Sequence, residues 1–163
     1  SERALAAFAA DRLNRATRIA AFSINGWDTH RNQDGPLTQR LGRLADVILA
    51  LKQGLGANWQ KTTVLAMTEF GRTVRLNGTA GTDHGTGGAM LVAGGAVRGG
   101  QVLGRWPGLA EADLYDRRDL MPTGDVRAVA AWAMRGAVGL ERSGLEQTVF
   151  PGLEMGADPG LIL

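Results

Sequence analysis

The sequence predicts an α/β domain built on a mostly parallel sheet. Three observations carry that prediction: short apolar runs of strand length, a long leucine stripe between the first two of them, and glycine-rich segments that follow the runs. Strand, helix and strand in that order imply a right-handed parallel crossover. Ligands of such a sheet gather at the carboxyl ends of its strands.

The elements follow in chain order. From Glu2 to about Ala16, Leu5, Phe8, Ala9, Leu13 and Ala16 recur near helical spacing and predict a helix with one apolar face. Ile19 to Ile24 is a short, mostly apolar run closed by Asn25-Gly26, which suits a buried strand. After Gly35-Pro36, Leu37, Leu41, Leu44, Ile48, Leu51 and Leu55 draw one continuous stripe, and Gly54 with Gly56 ends that helix. Thr62 to Thr68 predicts a second strand, Ala89 to Ala93 a third and Gln101 to Leu103 a weaker fourth. Residues 104–122 predict irregular structure. Thr123 then reads as a helix cap with Asp125 favourable in the first turn, Val126, Ala130, Ala133 and Ala137 share one face, and Gly139 stops the helix.

At 163 residues the chain matches one ordinary domain with a single core, and no repeat or linker divides it. Its 18 basic and 16 acidic residues are interspersed rather than gathered in a stripe, which argues against a nucleic-acid partner. No apolar run approaches the ~20 residues that span a bilayer. There is no signal peptide from Ser1 onward, and a first residue other than methionine is what removal of a natural beginning leaves. With no cysteine, any metal must be held by imidazole, carboxylate and water.

The candidate chemistry lies in three places. Gly26-Trp27-Asp28-Thr29-His30 and Gly81-Thr82-Asp83-His84-Gly85 contain both histidines, each within two residues of an aspartate. Imidazole and carboxylate beside glycine offer N and O lone pairs on a backbone able to curl around a divalent ion. Asp28 reads equally as a turn or capping group, and His30 as a surface histidine. In the second segment His84 is the better direct ligand. Asp83 either binds a neighbouring ion or accepts a hydrogen bond that orients an imidazole, and an Asx turn beside a structural histidine is the plainer alternative. Glu69, in Thr68-Glu69-Phe70-Gly71-Arg72-Thr73, ends a predicted strand and offers a third anionic ligand. Arg72 presents a planar fork suited to phosphate or sulfate, although a local ion pair with Glu69 would use the same two groups. The segment from Glu69 to Gly88 is long for a plain connection, and long ordered loops are commonly functional.

These segments, with Gln33, Asn77-Gly78, Gly94-Gly95, Gly99-Gly100, Thr123 and Asp125 to Val129, resemble in order the carboxy-terminal part of the DUF1501 family. That group is bacterial, often exported with a twin-arginine signal, and similar in fold to the alkaline phosphatase and sulfatase superfamily. The resemblance implies a three-layer αβα architecture, of which residues 1–163 form the carboxy-terminal part, and a periplasmic or secreted location. It further implies a metal-dependent hydrolase of anionic phosphate or sulfate esters using zinc or manganese. Asp28, His30 and His84 match the ligands of one ion. Where the superfamily binds a second ion through an Asp-His pair, this chain has Glu69-Phe70, and Phe70 cannot coordinate. No residue matches the superfamily's nucleophile motif, which follows the first strand of that domain, so the chain resembles a partial domain and no nucleophile is assigned in it. A metal- or anion-binding module without catalysis is the other expectation.

Overall fold

A computed structural model describes all of residues 1–163. The chain folds as two compact units, the first made of residues 1–60 and 75–83 and the second of 61–74 and 84–163.

The first unit is a helical pair with two loops docked on each other. Helix α1 runs over Glu2–Leu13, with the Ser1 hydroxyl accepting from Ala4 N at 3.4 Å, and α2 over Asp34–Leu55. Their seam is lined by Ala6, Ala9 and Ala10 of α1 and by Val47, Ala50, Leu51 and Leu55 of α2, all buried. Small residues allow this close approach: a Cβ on Gly54 would lie 2.7 Å from that of Ala10. The expected face of α1 is therefore corrected, since Leu5 and Phe8 are exposed and alanines form the contact. The stripe on α2 lies on a helix as expected, yet it is buried only at Leu51 and Leu55, while Leu41 is exposed. A buried leucine contributes about 1.5–3 kcal/mol, so the carboxyl end of α2 carries most of the adhesion. A 3-10 turn at Gly56–Lys61 follows, and Asn14 ties it to α1 by donating to Gly54 O and accepting from Asn58 Nδ2, both at 2.9 Å.

The second unit contains four short strands: β1 Val64–Ala66, β2 Gly71–Arg72, β3 His84–Gly85 and β4 Leu91–Ala93. They form two antiparallel pairs, β1 with β4 in the register Val64 to Ala93, and β2 with β3 in the register Arg72 to His84. The carboxyl half is helical, with α3 at Val126–Val138 followed by helical turns at Arg142–Gly144 and Leu145–Val149. Asp125, rather than Thr123, caps α3 by accepting from Arg127 N at 2.8 Å, and Gly139 ends the helix at φ 72°. The core gathers Ala131, Leu145, Leu153 and Met155, and the Trp132 indole donates to Met155 O at 2.9 Å. Glu146 Oε1 accepts from Met155 N and from Arg142 Nε, both at 2.9 Å.

The three-layer αβα architecture with a mostly parallel sheet is overturned. Helices dominate the regular structure and the only sheets are two-stranded and antiparallel. The physical reason begins at residues 19–24, which join no ladder, so the parallel crossover has no first strand. The second and third runs do hold strands, but β1 and β4 pair head to tail. Gln101 to Leu103 also joins no ladder, and Val102 is fully exposed.

Candidate metal centre

Within the first unit the segment 26–33 leads into α2 and carries two of the predicted ligands. Gly26, at φ 93°, lets the chain turn where the Arg40 guanidinium lies against its Cα, leaving no room for a side chain. Thr29 N donates to Trp27 O at 2.9 Å, which tightens the turn between Asp28 and His30. The buried hydroxyls of Thr29 and Thr82 both donate to Gln33 Oε1, at 3.1 and 2.6 Å, and Thr82 N donates to Thr29 O at 3.2 Å. The loop at 75–83 is thereby pinned to the segment before α2. Gly81 packs flat on the His30 carbonyl, a spot where any Cβ would collide with main chain.

That docking places a carboxylate at each ring nitrogen of His30. Asp28 Oδ1 lies 2.9 Å from Nε2, and Asp83 Oδ1 lies 2.9 Å from Nδ1. The three side chains are 62%, 52% and 40% exposed for Asp28, Asp83 and His30, so the array is open to solvent on one side. A hollow of about 330 Å³ is bordered by Gly26, Asp28, Thr29, His30, Arg31 and Pro36. A neutral imidazole has a single N–H and two carboxylates to serve. One edge of the ring therefore sets a lone pair against a carboxylate oxygen, an arrangement that a positive species beside those atoms relieves. A divalent ion is one such species.

The donor set fits a metal ion in one respect beyond residue type. Metal-binding imidazoles regularly pass their remaining N–H to a carboxylate. Asp83 occupies that place on His30 while Asp28 stands at the other nitrogen. The sequence expectation that Asp83 orients an imidazole thus has a partner in this unit, His30.

The other predicted residues belong to the second unit. Arg72 on β2 pairs across the ladder with His84 on β3, so His84 sits in a short strand rather than an unconstrained loop. Phe70 stacks on the His84 ring, with centroids 4.0 Å apart and planes at 27°, and the Arg72 guanidinium lies 5.9 Å over the Phe70 ring. Glu69 is exposed beside them. The β2–β3 turn needs glycine, because a Cβ on Gly71 would collide with Gly87 O.

Sequence reasoning missed Asp119 and Arg118. Asp119 is 3% exposed, and it accepts from Arg118 Nε at 2.7 Å and from Thr86 Oγ1 at 2.9 Å. Arg118 Nη2 also donates to His84 O at 3.3 Å. The Arg118 hydrogen bond outweighs desolvation, with help from Thr86, and holds the Asp119 carboxyl below its usual range. Its turn includes two residues in the left-handed region, Asp116 at φ 50° and Arg117 at φ 57°. No periodicity marks a buried aspartate bracketed by an exposed arginine in a stretch that lacks regular structure. Asn77 was visible only as half of Asn77-Gly78, a turn signal, and its bonding is taken up below.

Fold and site together define a small protein of helices and antiparallel strand pairs that carries an open carboxylate–imidazole–carboxylate array. The chain belongs to the DUF1501 family, described as a protein of unknown function, whose family model matches residues 2–134. No curated protein and no solved structure matches it.

Proposed function

We propose that this chain holds a divalent cation, zinc or manganese, through Asp28 and His30, as the metal-binding part of a hydrolase of phosphate or sulfate esters. The supporting observation is the short approach of two lone-pair atoms, Asp28 Oδ1 and His30 Nε2, on a ring whose other nitrogen faces Asp83. Asp28 supplies charge, His30 supplies a ligand of intermediate softness, and Asp83 fixes the ring. A bound divalent ion supplies Lewis-acid polarisation of an ester oxygen. Arg31 borders the same hollow and offers a guanidinium to the anionic group of such an ester. The motif resemblance to alkaline phosphatases and sulfatases adds His84 and Glu69 as further ligands and Arg72 as an anion clamp. It also suggests an exported bacterial protein. These assignments rest on the motifs and not on a shared three-layer sheet. No helix is long and apolar enough to cross a membrane.

Elemental analysis and calorimetry with zinc and manganese test the binding step. Stoichiometric uptake, abolished by Asp28→Ala or His30→Ala, is expected; a chain that retains neither metal after reconstitution rules the reading out. Asp28→Ala and His84→Ala, made singly and together, test the wider ligand set, because ligands of one ion are strongly non-additive. A purely binding module is the second reading, favoured by Phe70, which occupies a ligand position of the superfamily with a ring that cannot coordinate. Metal-dependent release of aryl phosphate or aryl sulfate by the longest natural chain would decide for the hydrolase.

A further inference from the structure

The amide of Asn77 has only one possible orientation. One of its terminal atoms faces the main-chain N–H groups of Thr79 and Gly81, at 3.0 and 3.1 Å. Main-chain N–H groups only donate, so that atom is the oxygen, and the NH2 faces the other way. The Thr79 hydroxyl lies 2.9 Å from the same oxygen. Both amide protons are then committed, one to His30 O at 3.0 Å and one to Asp83 Oδ1 at 3.0 Å. Asn77 is held in turn by its own main chain, since Asn77 N donates to Gly81 O at 2.8 Å and Ala80 closes the turn at φ 57°. The same Thr79 hydroxyl lies 2.7 Å from His30 O, so its single proton serves either that oxygen or the Asn77 oxygen, and Asn32 N and Gln33 N donate to Thr79 O and Ala80 O at 3.0 and 2.9 Å. One amide therefore reads the backbone of His30 and the carboxylate facing its ring.

We infer that Asn77 is a positioning residue that selects the tautomer of His30. The Asp83 oxygen that Asn77 grips is the one 2.9 Å from His30 Nδ1. Carboxylate oxygens stand 2.9 Å from both ring nitrogens, and the one at Nδ1 is anchored by the Asn77 amide, so an acceptor fixed in place there favours the Nδ1–H form of the neutral ring. Nε2 is left with its lone pair on the side of Asp28. A free neutral histidine prefers the opposite tautomer, so the preference is imposed by the loop at 77–83. This inference draws its functional meaning from the metal-binding proposal, but the tautomer is a property of the metal-free protein.

Proton–nitrogen correlation spectra of the 15N-histidine-labelled, metal-free chain, recorded in alkaline solution, read the tautomer directly. The wild type should show His30 protonated on Nδ1. Asn77→Asp keeps an oxygen for the Thr79 and Gly81 N–H groups but turns a second oxygen toward Asp83 and His30 O. It should move His30 toward the Nε2–H form and lower zinc affinity about 10–100-fold, the range of outer-shell partners. Thr79→Val removes one hydroxyl contact to His30 O and should leave the tautomer unchanged. Asp83→Asn weakens the acceptor at Nδ1 without changing its shape, and should shift the tautomer even if Asn77→Asp disturbs the loop. A wild-type ring protonated on Nε2, or Asn77→Asp and Asp83→Asn spectra identical to wild type, overturns the inference. If the tautomer shifts as stated while zinc binds to no variant and not to wild type, the metal reading fails and the role of Asn77 stands.

Discussion

Two carboxylate networks, Asp28–His30–Asp83 in the first unit and Asp119 in the second, are built from similar parts and balance differently. Asp119 is buried and meets donors, the Arg118 guanidinium and the Thr86 hydroxyl, so its negative charge is compensated by the protein. Asp28 and Asp83 are half exposed and meet the two nitrogens of one imidazole, and Asp83 also accepts from the Asn77 amide. The first balance holds a turn in place. The second leaves its carboxylates open to solvent, which is the basis on which a cation is proposed there. Burial and a guanidinium partner distinguish Asp119 from the two open aspartates, although an aspartate beside a basic residue describes both places.

The comparison breaks most sharply at His30. Replacing it by alanine should lower zinc affinity more than about 100-fold, beyond the 10–100-fold that outer-shell partners command, and calorimetry would show it. Asp119→Asn, by contrast, should leave zinc binding intact while costing about 1–3 kcal/mol of stability in urea unfolding, the range for a weakened buried hydrogen-bonded group. Equal effects of the two on metal binding would erase the distinction drawn here.

Acid sharpens the same contrast. Because the Asp119 carboxyl is lowered in the folded protein, its contribution is complete above the unfolded pKa of about 3.9. It is lost as pH falls through the lower folded value. Wild-type stability should therefore drop below about pH 4 with a component that Asp119→Asn lacks, measurable as a difference between their unfolding curves. Glycine substitution in the first unit probes the docking of its two loops. Gly81→Ala should cost about 1–3 kcal/mol by forcing main chain off His30, while Gly78→Ala, with open space around it, should cost far less; thermal unfolding of the pair is the check.

The helices were legible in the sequence because their signals are local. The leucine stripe of α2 and the Gly139 stop of α3 require no knowledge of distant residues. Strand position was partly legible, at Val64–Ala66 and Leu91–Ala93, but strand direction was not. An apolar run says that a segment can pair; its partner and polarity are set by residues far along the chain. Ile19 to Ile24 shows the limit, since its apolar pattern matches a buried strand while Ile19 is 69% exposed and unpaired in any ladder. Residue chemistry singles out Asp28, His30 and Asp83 in the sequence, and the fold brings these three side chains together. The grip of Asn77 on Asp83 depends on the fold of the 77–83 turn, which no spacing rule specifies.

The turn at Asp116 and Arg117 has a consequence for engineering this protein. Side-chain-bearing residues pay roughly 1–2 kcal/mol each for a left-handed backbone, and two in succession make this turn a compressed spring kept shut by its neighbours. Glycine at 117 would release part of that load, so a more thermostable derivative is best sought there.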